Sequence, residues 1–536
     1  MKLKSIIIFS FLCFIIFGLF LFFKNTYKDN GEVVIVIKEG VNDFPNGINI
    51  DKKETLIIEP GAIVVMGEGT RINIKGKIVA KGTEEKPIIF KGKDDSFWRG
   101  IKINGSLASL NREKYEKLIK EKRLEDSNFF NEIAAGNIFV YSIFKNLQSD
   151  GRETVENRLK AAIEVSNAPI VVSRSNFINI VHIGCIMVTD SLALISDNSM
   201  DSYYVMKALH LVGSFSIVDN NNITTDRREY SLWTDGLYTK GGIAIVTNNF
   251  FQGFADGGVD HDMSLVYIIN NNISDVYDDA IDIDNKSEAC IVDNNLKRAK
   301  INGILVGNQS TATLINNKIS ETKYGLSIRD GASVVATDNT ISMTKNGIRV
   351  FNKVPLVISE SDYLFLKERF YNLSSEEIDY WGFYVLENGE DAVNLLEESY
   401  KRKGDVFYFT MPNIPHDLKN LFKVIDIFEL EDVNDYFIAD NKKELDKLNH
   451  FYSNLVIKGG VIDAEKDILL TPFSSISGFY FKKDGKMIEL EEKTIINNDN
   501  NDIKTEEKNA IIKECQEMSL YVLNLSNKAR LLVYDI

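Results

Sequence analysis

From Phe177 to Val350, short runs of alternating apolar and polar residues follow one another, each closed by Asn, Asp or Gly before the next begins. Alternation sends successive side chains to opposite faces, so these runs predict short β-strands. Asparagine recurs at Asn176, Asn198, Asn222, Asn249, Asn272, Asn295, Asn317 and Asn339, at intervals of 22, 24, 27, 23, 23, 22 and 22. In most repeats a small residue opens the following strand: Gly184, Ala208, Gly236, Gly258, Ala280, Gly303, Gly325 and Gly347. A fixed period of this size marks a solenoid, whose units bury their apolar faces only by stacking. The spaced leucines of leucine-rich repeats are absent. Short β-branched strands divided by Asn, Asp and Gly predict instead a right-handed parallel β-helix, mainly β, with roughly 22 residues per coil of three strands. Asparagine suits a corner, because it tolerates the left-handed conformation and stacked side-chain amides can bond along the axis.

The same register sorts side chains into columns. Positions +1 and +3 after each small residue are apolar and face inward. The outward +2 column reads Ile186, His210, Tyr238, Asp260, Asp282, Leu305, Ser327 and Arg349, and the +4 column reads Val188, Val212, Lys240, Asp262, Asp284, Gly307 and Arg329. Coils lie about 4.8 Å apart, which stacks Asp260 on Asp282 and Asp262 on Asp284. Asp235, Asp256, Asp278 and Asp279 stand at the edge of this patch. Carboxylates this close raise one another's pKa or demand a cation, and four hard oxygen ligands, Asp260, Asp262, Asp282 and Asp284, suit Ca²⁺. The bland alternative is a row of solvated turn aspartates. His261 takes an inward +3 position and is expected to be a hydrogen-bonded core histidine.

The turns Asn221-Asn222-Ile223, Asn271-Asn272-Ile273 and Asn316-Asn317-Lys318-Ile319 resemble those of the pectin-lyase-like superfamily, over residues 46 to 357. That superfamily includes lyases, glycoside hydrolases, epimerases, phage tailspikes and non-catalytic carbohydrate binders, so the resemblance is specific for fold and not for activity. For a lyase it implies a calcium ion neutralising a uronate carboxylate and a basic side chain removing the neighbouring proton, with Lys240 and Arg329 as the candidates. For an inverting hydrolase it implies paired carboxyl groups, here Asp260, Asp279 and Asp282, acting as acid and base. Thr234-Asp235-Gly236 and Asp278-Asp279 resemble fragments of the family 28 polygalacturonase motifs, but they fall two coils apart and neither GHG nor RIK is present. An epimerase needs a second proton donor, for which His210 or Tyr238 is placed. Trp233 and Tyr238 could stack on sugar rings, and Arg227 and Arg228 could bind an anionic chain.

Met1 to Ser5 form a cytoplasmic stub, and the apolar run Ile6 to Phe23 is long enough to cross a bilayer with the lysines before it facing the cytoplasm. No small-x-small pattern follows, which favours an uncleaved single-pass anchor over a cleaved signal peptide. Residues 24 to 45 are then a linker. Short strands are expected at Val33 to Ile37, Leu56 to Ile58, Ile63 to Met66, Ile72 to Ile74, Ile78 to Ala80, Pro87 to Phe90 and Gly100 to Ile103. The opening coils are interrupted by a helix-forming insertion at Asn111 to Glu125 and another at Ser149 to Arg158. A third, between Asn222 and Asn249, carries Arg227, Arg228, Trp233, Tyr238 and Lys240. The rhythm stops after Pro355, so residues 358 to 536 are expected to form an α/β or α+β domain of unread role that could contact a partner protein. Helices are expected there at Glu390 to Lys403 and Lys442 to Tyr452, with a strand at Asp405 to Thr410.

A net charge of −15 excludes nucleic acid as a partner of the whole chain. Cys13, Cys185, Cys290 and Cys515 lack motif spacing and read as free thiols. The expectation is an anchored extracytoplasmic β-helix, periplasmic or on the cell surface, acting on a polysaccharide, with uronate-containing chains among the candidates, as lyase, hydrolase or epimerase. The alternatives are a non-catalytic carbohydrate-binding or envelope-assembly protein and a structural or adhesive solenoid.

Overall fold

A computed structural model describes residues 26–29, 32–106, 110–148, 161–181, 184–203, 207–225, 234–329, 332–351, 355–358, 400–403, 406–410, 454–458, 460–466, 474–477, 479–483, 486–490, 493–495 and 505–535. The chain divides into two compact units, Met1–Phe251 with Asn524–Ile536, and Gln252–Leu523. In each, three parallel strands per coil stack on those of the next.

In the first unit one wall runs from Glu32–Ile37 through Glu54–Ile58, Lys77–Lys81, Asn137–Val140, Ile170–Ser173, Leu192–Ser196 and Phe215–Asp219 to Ile243–Thr247. Stacking therefore begins at Glu32, inside the stretch expected to be a linker, because Val34 and Ile37 already point into the core. All seven strands expected between Val33 and Ile103 are present. Inward aromatic residues form a stack, Phe90 to Phe144 to Phe177 with ring centroids 5.0 and 4.8 Å apart. Each such pair contributes about 0.5–1.5 kcal/mol beyond burial. The insertion after Asn111 forms helix Arg112–Lys120, capped by the Asn111 side chain accepting from the Lys114 N–H, and a second helix, Phe129–Ala134. It does not loop free: Tyr115 and Phe129 pack on Phe215, centroids 5.5 and 4.4 Å away.

The second unit repeats the design. Its first wall is Leu265–Ile269, Glu288–Val292, Thr311–Ile315, Ser333–Thr337 and Asn454–Lys458. The last of these, with Val461–Lys466 on Thr340–Phe351, adds another coil from beyond the boundary expected at residue 357. Tyr400–Lys403 and Val406–Thr410 pair antiparallel, so the end of the helix expected at Glu390 to Lys403 is a strand. The helix expected at Lys442 to Tyr452 lies outside the described residues, as does the segment Ile6 to Phe23. Among the described residues no helix is long and apolar enough to cross a membrane.

The asparagine ladder is real but partly one residue out of the expected register. The buried amides are Asn198, Asn221 and Asn249 in the first unit and Asn271, Asn294, Asn317 and Asn339 in the second. Each Nδ2 donates to the next Oδ1, as in Asn271 to Asn294 at 3.0 Å and Asn294 to Asn317 at 2.9 Å. Asn222, Asn272 and Asn295 are exposed, and Ser175 fills the column where Asn176 was expected. The left-handed backbone falls one residue earlier than the ladder, at Asp197, Asn220, Asn248, Asn270, Asp293, Asn316 and Asp338. Turning the chain and bonding the axis are thus divided between neighbouring residues.

Helix Thr505–Asp535 was not expected. Ile512, Cys515, Ser519, Val522, Ser526, Ala529 and Val533 are buried, at alternating spacings of 3 and 4 that form a single stripe. Within the second unit, Cys515 forms a disulfide with Cys290, correcting the free-thiol reading. Spacing could not reveal that pairing, since the two are 225 residues apart in sequence. Cys185 is buried and stands outside the disulfide. Within the first unit, Arg530 Nε donates to Asp219 Oδ2 at 2.7 Å, and Thr247 and Asn248 donate to Oδ1 at 2.7 and 2.8 Å.

Candidate functional site: an acidic cluster on stacked strands

Strands Val259–Asp262 and Ile281–Asp284 pair in parallel with Asp260 opposite Asp282 and Asp262 opposite Asp284. This is the register that alternation demanded: Val259, His261, Ile281 and Ile283 are fully buried, which turns the aspartates to the other face. Asp282 is followed along its column by Leu305, Ser327 and Arg349. The expected column fails in the first unit, where Met187 rather than Ile186 pairs with His210 and Thr189 rather than Val188 pairs with Val212. Gly184 there precedes the strand-leading position by one residue.

The carboxyl groups of the cluster differ in what holds them. Asp284 Oδ2 accepts from Arg329 Nη2 and from Asn308 Nδ2, both at 2.9 Å. Arg329 sits two coils away, and Gly307 between them makes this reach possible: a Cβ there would lie 2.7 Å from Asp284 Oδ1 and 2.9 Å from Arg329 Nε. Asp262 Oδ1 accepts from Asn285 Nδ2 at 2.7 Å. Asp279 Oδ1 accepts from the backbone N–H and Nδ2 of Asn302, at 3.0 and 2.6 Å. Asp282, in contrast, makes no hydrogen bond, although its Oδ1 is buried.

Burial pushes the Asp282 carboxyl well above the usual carboxylate range, and Asp260, Asp279 and Asp284 add to the rise against Arg329. Asp279 is raised in the same way by burial and by Asp278, with Asn302 and Arg329 pulling down. The Arg349 guanidinium lies over the Tyr324 ring, 4.2 Å from its centroid, and burial lowers its pKa. The cluster therefore keeps protons to higher pH than free aspartates do, with a cationic surface beside them.

His261 belongs to the core as expected, but neither ring nitrogen has a hydrogen-bond partner, and burial lowers its pKa to about 3. It carries no accessible chemistry. Of the remaining candidates, His210 and Tyr238 are neighbours in the first unit, ring centroids 5.3 Å apart. Lys207 Nζ lies 3.8 Å above the Tyr238 ring and pairs with the buried carboxylate of Asp235. Lys240 ends strand Asp235–Lys240 in the same unit, exposed. Trp233, Arg227 and Arg228 lie outside the described residues. Sequence reasoning missed Lys207, Asn302, Tyr324 and the role of Gly307. Only the small residue at position 307, breaking a column of side chains, was a signal.

Calcium was expected on Asp260, Asp262, Asp282 and Asp284. Among the described residues, no three His, Cys, Asp or Glu groups stand together as ligands for a metal ion.

Residues 161–341 and 258–374 match the family model described as "Right handed beta helix region", and the fold is a right-handed parallel β-helix. No curated protein matches the sequence. Among solved structures, an alginate lyase from Paenibacillus sp. str. FPU-7 is 13% identical over 55% of this chain and 92% of its own, with a TM-score of 0.26. The catalytic unit of a thermostable GH87 alpha-1,3-glucanase from Streptomyces thermodiastaticus strain HF3-3 is 10% identical over 60% of this chain and 61% of its own, with a TM-score of 0.31. The A-module of the Azotobacter vinelandii mannuronan C-5 epimerase AlgE6 is 9% identical over 84% of this chain and 91% of its own, with a TM-score of 0.34. Likenesses at this level carry no argument about activity.

Proposed function

From a right-handed β-helix with an acidic cluster on one wall, we propose a protein that acts on a polysaccharide, uronate-containing by preference, through acid–base chemistry at Asp279 and Asp282. The observation that carries this reading is Asp282, a carboxyl group with a buried oxygen, no hydrogen bond and a raised pKa. Leaving such a group unsatisfied costs stability, and a raised pKa in a charged cluster is the usual mark of a proton donor. Asp279 and Asp282 are then the two carboxyl groups that exchange protons with the sugar. Neutral forms of both lower the negative charge that would repel an anionic chain. Arg329 and Arg349 offer the positive side of the site, Arg329 as a positioning group because its head is committed to Asp284.

A calcium requirement is tested directly, by activity with and without chelator. We assign the chain an extracytoplasmic place, held by Ile6 to Phe23. The disulfide supports this reading, because such bonds persist in oxidising compartments.

The test uses the full chain in detergent with a panel of acidic polysaccharides, following the absorbance of unsaturated uronate products and the reducing ends together. Turnover abolished by Asp282→Asn supports the reading, and product absorbance assigns a lyase. Binding without turnover, unchanged in Asp282→Asn, overturns it in favour of a non-catalytic carbohydrate binder.

A further inference from the structure

Asn302 links two parts of the cluster. Its backbone N–H and its Nδ2 both end on Asp279 Oδ1, and Ser327 Oγ donates to Asn302 Oδ1 at 2.5 Å. A hydroxyl proton on the amide oxygen decides which way the amide faces, so its NH₂ group must point at Asp279. Asp279, Asn302 and Ser327 are 5%, 2% and 0% exposed, which keeps water from competing for these bonds. Oδ2 of Asp279 receives none of them. Three residues further on, Asp282 has no such support.

We propose that Asn302 and Ser327 are positioning residues that clamp Asp279 through Oδ1 and reserve Oδ2 as the oxygen that exchanges a proton with the bound sugar. This rests on the polysaccharide reading of the same site. Two donors on one carboxyl oxygen favour its carbonyl form, which puts the acidic proton on the other. In the transfer the O–H bond at Oδ2 breaks, its electron pair stays on Asp279, and the proton bonds to a sugar oxygen. The carboxylate left behind keeps both Asn302 donors, now strengthened by its charge. Asp278 and Asp282 beside it, Asp260 and Asp284 on the paired strands, and Arg329, Arg349 and Tyr324 from the later coils are the charged and titratable groups around it. Burial and Asp278 raise its pKa and Asn302 opposes them, so loosening the clamp must raise it further.

The experiment follows carboxyl protonation of the full chain by infrared spectroscopy across pH, with Asp279→Asn to identify the Asp279 signal. In Ser327→Ala the amide is free to turn, and the Asp279 titration moves to higher pH; in Asn302→Ala it moves further, and in Ser327→Thr it stays in place. If a polysaccharide is turned over, the alkaline limb of kcat moves up with it while KM holds. An unshifted Asp279 titration in both Ser327→Ala and Asn302→Ala overturns the clamp, whatever happens to thermal stability. A shifted titration without turnover of any polysaccharide keeps the clamp and defeats the polysaccharide reading.

Discussion

Breaking the Cys290–Cys515 bond tests how the C-terminal helix is held. The bond closes a loop with a sequence separation of 225 residues. Chain-entropy scaling gives about 5 kcal/mol of denatured-state constraint for a loop of that length. A solenoid need not unfold as one unit, so much of that sum is not felt when only the helix leaves. What remains at the second-unit end is the buried stripe of Ile512, Met518, Ser519 and Val522, with Ser519 and Cys290 in contact at 3.8 Å. We expect Cys290→Ser to lower the urea midpoint and to raise hydrogen exchange first in Thr505–Asp535, before the coils. Alkylation of the unreduced, denatured protein should label Cys13 and Cys185 but neither Cys290 nor Cys515. Labelling of all four cysteines, or identical exchange of the helix in oxidised and reduced protein, refutes the reasoning.

Gly307→Ala places a Cβ between Asp284 and Arg329 and should cost about 2 kcal/mol by displacing a buried ion pair, read as a lower urea midpoint, with a smaller effect in an Arg329→Met background where the pair is already lost. His261→Leu removes an imidazole with two unpartnered nitrogens. Its pKa is lowered to about 3 in the folded chain, so stability is full above the unfolded value near 6.5 and is lost as pH falls toward 3. The variant should lack that acid-side loss, on the order of 5 kcal/mol at most, in pH-dependent urea titrations. Asp282→Asn has the opposite sign: the native carboxyl keeps its proton where the unfolded one releases it, so stability falls as pH rises above about 4. The asparagine variant should be more stable at neutral pH, with the advantage gone below about pH 4.

Alternation and period were enough to read the walls, the inward face and the pairing of Asp260 with Asp282, because a slip of one residue would bury every aspartate and expose every isoleucine. Asn-Asn pairs were not enough to place the ladder. Either asparagine fits the spacing, and the choice between Asn221 and Asn222 is made by which one follows the left-handed residue. The coil at Gly184 misled for a similar reason, since Cys185 is small enough to lead the strand. The helix Thr505–Asp535 was illegible because its buried stripe includes Ser519, Ser526 and Ala529, which read as polar or neutral without a surface to pack against. Long-range partners such as Cys290 with Cys515 and Asp219 with Arg530 leave no local pattern at all.

The case for the acidic cluster rests on contrast within the same molecule. Several other buried or half-buried aspartates are given a cation: Asp219 has Arg530, Asp235 has Lys207, Asp275 has Arg298 and Asp284 has Arg329. The outcome of such pairing is plain at Asp275, where the bond to Arg298 holds the carboxyl well below the usual range. If Asp282 were one more structural turn residue, the same solution was available from Arg329, whose guanidinium already acts on it. Instead Gly307 opens the path for Arg329 to reach past and bind Asp284. That arrangement leaves Asp282 without a hydrogen bond beside Asp260 and Asp279, a choice that lowers stability and keeps a proton where a ligand could take it. Stability alone would select against it, and that is the ground on which we propose a role in proton transfer.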